Sequence, residues 1–224
     1  MDRREFITAL GSAAAASQLG CATAHVTGTR QLSRVGIQLY SLRDDAKRDL
    51  EGTIANIAQA GYKDVELLGS MNNFGMLPAR LRTILDRNGL RAPSTHVSGT
   101  ALDDLPRQLD EAAALGHQYI VVASLPIEGT RTVSDYQRWA DKLNEAGRIS
   151  RKSNVWIGFH NHAADFDVPG AYDALEARTD PNFVRLQLDT GNLAMAGRDP
   201  IEYLKRFGDR YWLFHIKDVP QLRA

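Results

Sequence analysis

The 224-residue sequence predicts an α/β fold, a (β/α)8 TIM barrel, on three observations. Short apolar runs recur at a near-constant interval. Amphipathic helical stripes fill the intervals. No G-x-G-x-x-G turn follows the first run, as it would in a dinucleotide-binding open sheet. Strand, helix and strand at constant spacing build right-handed βαβ units and one parallel sheet.

The runs start at Val35 (VGIQLY), Lys63 (KDVELL), Arg91 (RAPSTH), Tyr119 (YIVVAS), Val155 (VWIGFH), Val184 (VRLQLD) and Trp212 (WLFHIK), spaced 28, 28, 28, 36, 29 and 28 residues apart. Most are rich in Val, Ile, Leu and aromatics and short enough for strands. RAPSTH is the weakest, because Pro93 cannot donate to a ladder. Between the runs, Leu50, Ile54, Ile57 and Ala58 share a helical face. So do Leu77, Leu81, Ile84 and Leu85, then Leu105, Leu109, Ala112 and Ala113, then Trp139, Leu143, Ala146 and Ile149. Gly61, Gly89 and Gly116 stand where left-handed caps end helices, and Asp199-Pro200 reads as an N-cap followed by proline. An eighth strand falls due near residue ~240 by the same period, past Ala224. The expectation is therefore a C-terminally incomplete barrel over 34–224, open between its first and seventh strands. A fragment is the favoured explanation; closure by a partner chain is the other.

Composition narrows the function. Lys and Arg total 27 and Asp and Glu total 27, so the formal charge is zero, which argues against a nucleic-acid partner. After the N-terminus no apolar stretch is long enough to span a membrane. The single cysteine, Cys21, excludes an internal disulfide framework and a thiolate metal cage. Residues 1–24 carry Arg3-Arg4, then Phe6-Ile7, an Ala-rich run, and Ala22-Thr23-Ala24. This resembles a twin-arginine export signal, with 25–33 as linker, and places the mature protein in the periplasm or otherwise outside the cytoplasm. Lipid attachment at Cys21 is a second route, to which Gln18 fits poorly.

Catalytic groups of parallel barrels sit at the C-terminal ends of strands. His96, His160, His162 and His215 fall at such ends, Asp189 ends the sixth run, and Glu66 lies near the end of the second. Alternation along the strands directs Arg185, Gln187 and Asp189 into the bore. It directs Trp156, Gly158, His160 and His162 there too, with Leu213, His215 and Lys217. Trp212, Phe214 and Ile216 belong to the opposite, outward set. Buried charges need partners or a metal. His160, Asp189 and His215, from three consecutive strands, make a plausible shell for Mn²⁺, Co²⁺, Zn²⁺ or Fe²⁺. Each residue alone has a plainer reading: a hydrogen-bonded histidine, a turn aspartate in Asp189-Thr190-Gly191, a local Lys217-Asp218 ion pair.

VGIQLYSLRDD (35–45), GYKDVELLG (61–69), GFHNHAADF (158–166), LQLDTGNLAMAG (186–197) and HIKDV (215–219) together resemble the sugar phosphate isomerase/epimerase superfamily, with its xylose-isomerase-like barrel. The resemblance implies a divalent metal, Mn, Co, Zn, Fe or Mg, held by acidic and histidine residues at the ends of strands five to eight. Asp189 and His215 match two of those positions. His160 stands where the family has a fifth-strand Glu, with Asp165 the nearest acidic alternative, and the eighth-strand Glu falls past Ala224. The His160-Asn161-His162 variant resembles the branch of inosose-dehydratase-like and keto-sugar-processing proteins. It implies abstraction of a proton next to a carbonyl of a sugar or cyclic polyol, by an isomerase, epimerase or lyase. His162 or His96 would be the base, and Lys217 would stabilise an oxyanion. Gln38, Tyr40 and Glu66 would line the sugar site. The alternatives are a non-catalytic sugar-binding or truncated inactive barrel and, less favoured, an abasic-site endonuclease.

Overall fold

A computed structural model describes residue 32 and residues 34–219. The expected export signal over 1–24, Cys21 with it, lies outside the described residues, as does all but Leu32 of the expected linker. Seven parallel strands form one sheet in sequence order: β1 (Gly36–Gln38), β2 (Asp64–Leu67), β3 (Arg91–Ser98), β4 (Tyr119–Ser124), β5 (Trp156–His160), β6 (Val184–Asp189) and β7 (Tyr211–His215). The helices between them are α1 (Arg43–Arg48), α2 (Leu50–Gln59), α3 (Pro78–Arg87), α4 (Leu105–Leu115), α5 (Val133–Ser150), α6 (Ala171–Arg178), α7 (Thr190–Met195) and α8 (Pro200–Phe207). This is the TIM-barrel fold. Among the described residues β1 and β7 each pair on one side only. No helix among them is long and apolar enough to cross a membrane.

The core lies between the sheet and its helices. Leu50, Ile54 and Ile57 of α2 and Leu81, Ile84 and Leu85 of α3 pack with Val65 and Leu67 of β2. Tyr136, Ala140 and Leu143 of α5 pack with the outward residues of β4 to β6, among them Ile120, Val122, Ile157, Phe159, Leu186 and Leu188. Gly61, Gly89 and Gly116 all take positive φ, as the helix ends require. Asp199 accepts the backbone N–H of Ile201 at 2.8 Å, capping α8 ahead of Pro200.

Several sequence expectations change in detail. RAPSTH, the weakest run, lies in the longest strand. Asp64 pairs with Arg91 and Glu66 with Ser94, so Ala92 and Pro93 oppose a single residue of β2, and the bulge removes the demand for a proline N–H. Leu77 is 73% exposed, because the residue before Pro78 is extended rather than helical. Ile149 and Ala113 are also exposed; the buried face of α5 keeps Leu143 and Ala146 and adds Tyr136, Ala140, Gly147 and Ser150. Trp212 leaves the outward set. Leu186 pairs with Tyr211 but Gln187 with Leu213, so Trp212 is an extra residue in the ladder. Its ring lies against the Arg185 guanidinium at 3.8 Å, and Trp156 stacks on the same guanidinium at 3.9 Å.

Gly147 is where α5 presses on the chain entering β6. A Cβ there would stand 2.6 Å from the Phe183 carbonyl oxygen, a backbone atom that cannot swing away. Gly147→Ala is expected to lower unfolding free energy by about 1–3 kcal/mol, read by urea denaturation. A neutral result would mean that α5 can slide on the sheet.

Candidate metal centre

Inside the bore, residues from six strands or strand ends meet. Glu66 is the hub. Its Oε1 accepts from Gln38 Nε2 at 3.1 Å and from His215 Nε2 at 2.7 Å, and lies 3.0 Å from His96 Nε2. Its Oε2 accepts from Ser94 Oγ at 2.6 Å and Gln187 Nε2 at 2.8 Å. Burial by itself would raise this carboxyl's pKa, but the charges and hydrogen bonds of His96 and His215 override it and hold it well below the usual range. Glu66 is thus an anion enclosed by donors from β1, β3, β6 and β7.

Asp189 is fully buried at the end of β6 and divides its two oxygens. Oδ1 accepts the Asn192 N–H at 2.8 Å and caps α7. Oδ2 makes no well-formed hydrogen bond and points into the cluster. There it lies 3.6 Å from His160 Nε2, 3.5 Å from His215 Nδ1 and 2.5 Å from Lys217 Nζ. Two donors bound tetrahedrally at zinc–nitrogen distances stand about 3.3–3.4 Å apart. His160 Nε2 and His215 Nδ1 each stand close to that distance from Asp189 Oδ2. His96 also offers a nitrogen: one atom from each of His96, His160 and His215 lies within 4.8 Å of the others, so three histidines could form a metal site. Burial, with His96, His215 and His162 nearby, holds the His160 pKa well below the usual value, so it is neutral, as a ligand must be. Burial would lower His215 as well, but Asp189 and Glu66 raise it to about 9.

The motif residues between these groups tie the strand ends together. Asn161 donates to the Asp189 carbonyl at 3.2 Å and accepts from the Asp189 N–H at 2.8 Å. Asn192 Nδ2 donates to the Asn161 carbonyl at 2.9 Å. Thr190 Oγ1 donates to the His215 carbonyl at 3.2 Å and accepts from the Lys217 N–H at 3.3 Å. Gly191 leaves the room that Lys217 fills, since a Cβ there would stand 2.8 Å from Lys217 Cβ.

Of the residues singled out from sequence, Gln38, Glu66, His96, His160, Asp189, His215 and Lys217 are brought together. His162 stands exposed beside them, its ring centroid 4.7 Å from that of His160. Tyr40 is not drawn in: it is 52% exposed and stacks with Arg43. Asp165 turns away, accepting from Tyr136 Oη at 2.8 Å and Arg131 at 3.2 Å, which anchors the loop carrying His162 to α5. Gln187, Ser94, Asn161 and Asn192 were missed as site residues. The inward phase of Gln187, two residues before Asp189, was the available signal.

Fold and cluster together define a barrel protein with its polar groups gathered at the C-terminal mouth. The chain belongs to the xylose isomerase-like TIM barrel family, whose profile matches residues 54–224. It is 30% identical over 197 residues to an inosose dehydratase of Lacticaseibacillus casei, covering 78% of this chain and 65% of that protein. It is 28% identical over 217 residues to that of Geobacillus kaustophilus, covering 86% and 68%. The chain thus spans about two thirds of the length of these curated relatives. A sugar phosphate isomerase/epimerase from Parabacteroides distasonis superposes with TM-score 0.73 at 24% identity, covering 86% of this chain and 80% of that one. The IOLI protein, solved with a zinc atom, superposes with TM-score 0.65 at 16% identity, covering 84% and 74%.

A group whose folded pKa is raised stabilises the fold below its ordinary value and loses that contribution as pH climbs through the folded one. His215 is such a group, with 6.5 as the ordinary value and about 9 in the fold. The metal-free protein is expected to lose stability across that window, followed by urea melts at several pH values. His215→Asn should flatten the slope; an unchanged slope would assign it to another group.

Proposed function

We propose that this protein is a divalent-metal-dependent enzyme that removes a proton next to the carbonyl of a sugar or cyclic polyol, acting as a dehydratase or as an isomerase or epimerase. The observation that carries this reading is the approach of His160 Nε2 and His215 Nδ1 to the buried Asp189 Oδ2, an oxygen that also lies 2.5 Å from Lys217 Nζ. The relatives named inosose dehydratase support the substrate class, and the zinc of the IOLI protein supports a metal.

His160, His215 and Asp189 would hold the ion, which when bound supplies Lewis acidity to a carbonyl oxygen and its neighbouring hydroxyl. The chain's own groups handle the proton and the charge. His162 stands at the mouth, and its neutral imidazole accepts the proton from the carbon next to the carbonyl. His96, the other candidate base, is buried with Gln38 and Gln187 against its ring nitrogens, so this role falls to His162. The Lys217 ammonium, steadied by Asp189, donates to the oxygen on which negative charge grows. The His162 imidazolium then has two outlets. Protonation of a hydroxyl leaving the next carbon releases water and gives dehydration; delivery of the proton to the former carbonyl carbon, while the neighbouring hydroxyl passes its proton to the former carbonyl oxygen and becomes the new carbonyl, gives isomerisation. Gln38 and Glu66 shape the floor below rather than the wall.

The protein with its natural leader is expected to copurify with a stoichiometric divalent ion and to turn over a member of a panel of keto-inositols and 3-keto-glucosides. Asp189→Ala should abolish both. Full turnover in that variant sinks the proposal, and metal retention without turnover across the panel favours a sugar-binding barrel. Export through the Arg3-Arg4 leader is part of the same reading. Arg3→Lys/Arg4→Lys should leave the protein in the cytoplasmic fraction, and unchanged export would rule out a twin-arginine route.

A further inference from the structure

Gln187 occupies the centre of the bore and touches three of the charged or metal-competent groups at once. Its Nε2 lies 2.8 Å from Glu66 Oε2, and its Oε1 lies 2.6 Å from His96 Nε2 and 2.9 Å from His160 Nδ1. The amide can sit only one way round. Reversed, it would place its oxygen 2.8 Å from a carboxylate oxygen, two acceptors in contact with no proton between them. The Glu66 carboxylate therefore aims the amide oxygen at both imidazoles, and each must present an N–H to it.

That requirement sorts the histidines. A neutral imidazole carries one N–H. With the hydrogen of His160 on Nδ1, its Nε2 keeps a lone pair facing Asp189 Oδ2, 3.6 Å away. With the hydrogen of His96 on Nε2, its Nδ1 is the acceptor, and Gln38 Nε2 stands 2.7 Å from it as donor. Both nitrogens of His96 are spent inside the network. At His215, Nε2 donates to Glu66 rather than to Gln187, at 2.7 Å, and Nδ1 faces Asp189.

We infer that Gln187 is a positioning residue that sets the tautomers of His160 and His96, so that His160 presents a lone pair to the ion while His96 is kept as scaffold. The inference rests on the metal reading above for the identity of the ligand, but the tautomers exist with or without an ion. Histidine free in water favours the Nε2–H form, which at His160 would aim a hydrogen at the ion position. Without Gln187, that imidazole loses the acceptor that holds its hydrogen on Nδ1. Residues that orient a metal-bound histidine through its other nitrogen commonly govern affinity about 10–100-fold.

The test reads both levels in the whole protein. Nitrogen-15 spectra of the metal-free protein report which ring nitrogen is protonated, and chelator competition reports Zn²⁺ affinity. In the native sequence His160 is expected as the Nδ1–H form and His96 as the Nε2–H form. Gln187→Met should shift His160 toward Nε2–H and weaken Zn²⁺ binding about 10–100-fold. If that variant does not fold, the exchanged pair Glu66→Gln/Gln187→Glu keeps one amide and one carboxylate in contact, and it should retain the Nδ1–H form of His160. An Nε2–H form of His160 in the native sequence, or an unaltered tautomer in folded Gln187→Met, overturns the inference. So does loss of the Nδ1–H form in the exchanged pair. The expected tautomers without Zn²⁺ binding would uphold Gln187 as the tautomer-setting group and overturn the metal reading instead.

Discussion

A buried negative charge that must be satisfied from several strands at once organises the interior of this barrel. Glu66 is enclosed by Gln38, Ser94, His96, Gln187 and His215. An unpaired carboxylate there would be very costly, whereas one surrounded by donors gains hydrogen bonds strengthened by the low dielectric. Those donors come from β1, β3, β6 and β7, so the ion also ties together strands that the backbone ladder leaves apart. β1 and β7 each have one ladder neighbour among the described residues, yet Gln38 and His215 meet on the same oxygen of Glu66.

The second constraint lies at the mouth, where two short motifs hold each other. In Asp189-Thr190-Gly191-Asn192, the aspartate caps its helix with one oxygen and directs the other into the cluster. The threonine binds the end of β7, the glycine makes room for Lys217, and the asparagine reaches β5. In His160-Asn161-His162, the first imidazole points inward and the third stands at the rim. The asparagine between them extends the pairing of β5 with β6 through its side chain. Helix cap, strand ends and metal-competent oxygen are thus one rigid assembly. Preorganisation of this sort is what a site needs to stabilise developing charge without rearranging.

Much of this was legible in the chain. The repeat of about 28 residues located every strand, and the two-residue period along β5, β6 and β7 pointed His160, Asp189 and His215 inward. Where reading by period failed, a local backbone feature had intervened. The bulge at Pro93 let a proline-containing run become the longest strand, and the extra residue at Trp212 turned its ring onto Arg185. Neither bulge has a signature in residue type. Asp165 shows a related limit: an acidic residue three positions past His162 can reach into the site or away from it, and Tyr136 of α5 with Arg131 just before that helix drew it away.

By itself the amino-acid order determined the alternating strands and helices, the inward phase of the polar residues, and the gathering of histidines at strand ends. All of these follow from periodicity along one segment. The tertiary structure alone decided that Glu66 is a buried hub rather than a wall of the mouth, that Tyr40 stands apart, and that Gln187 bridges two imidazoles and a carboxylate. Residues 66 and 187 touch across the bore although far apart in the chain, and the curvature of the whole sheet sets that encounter.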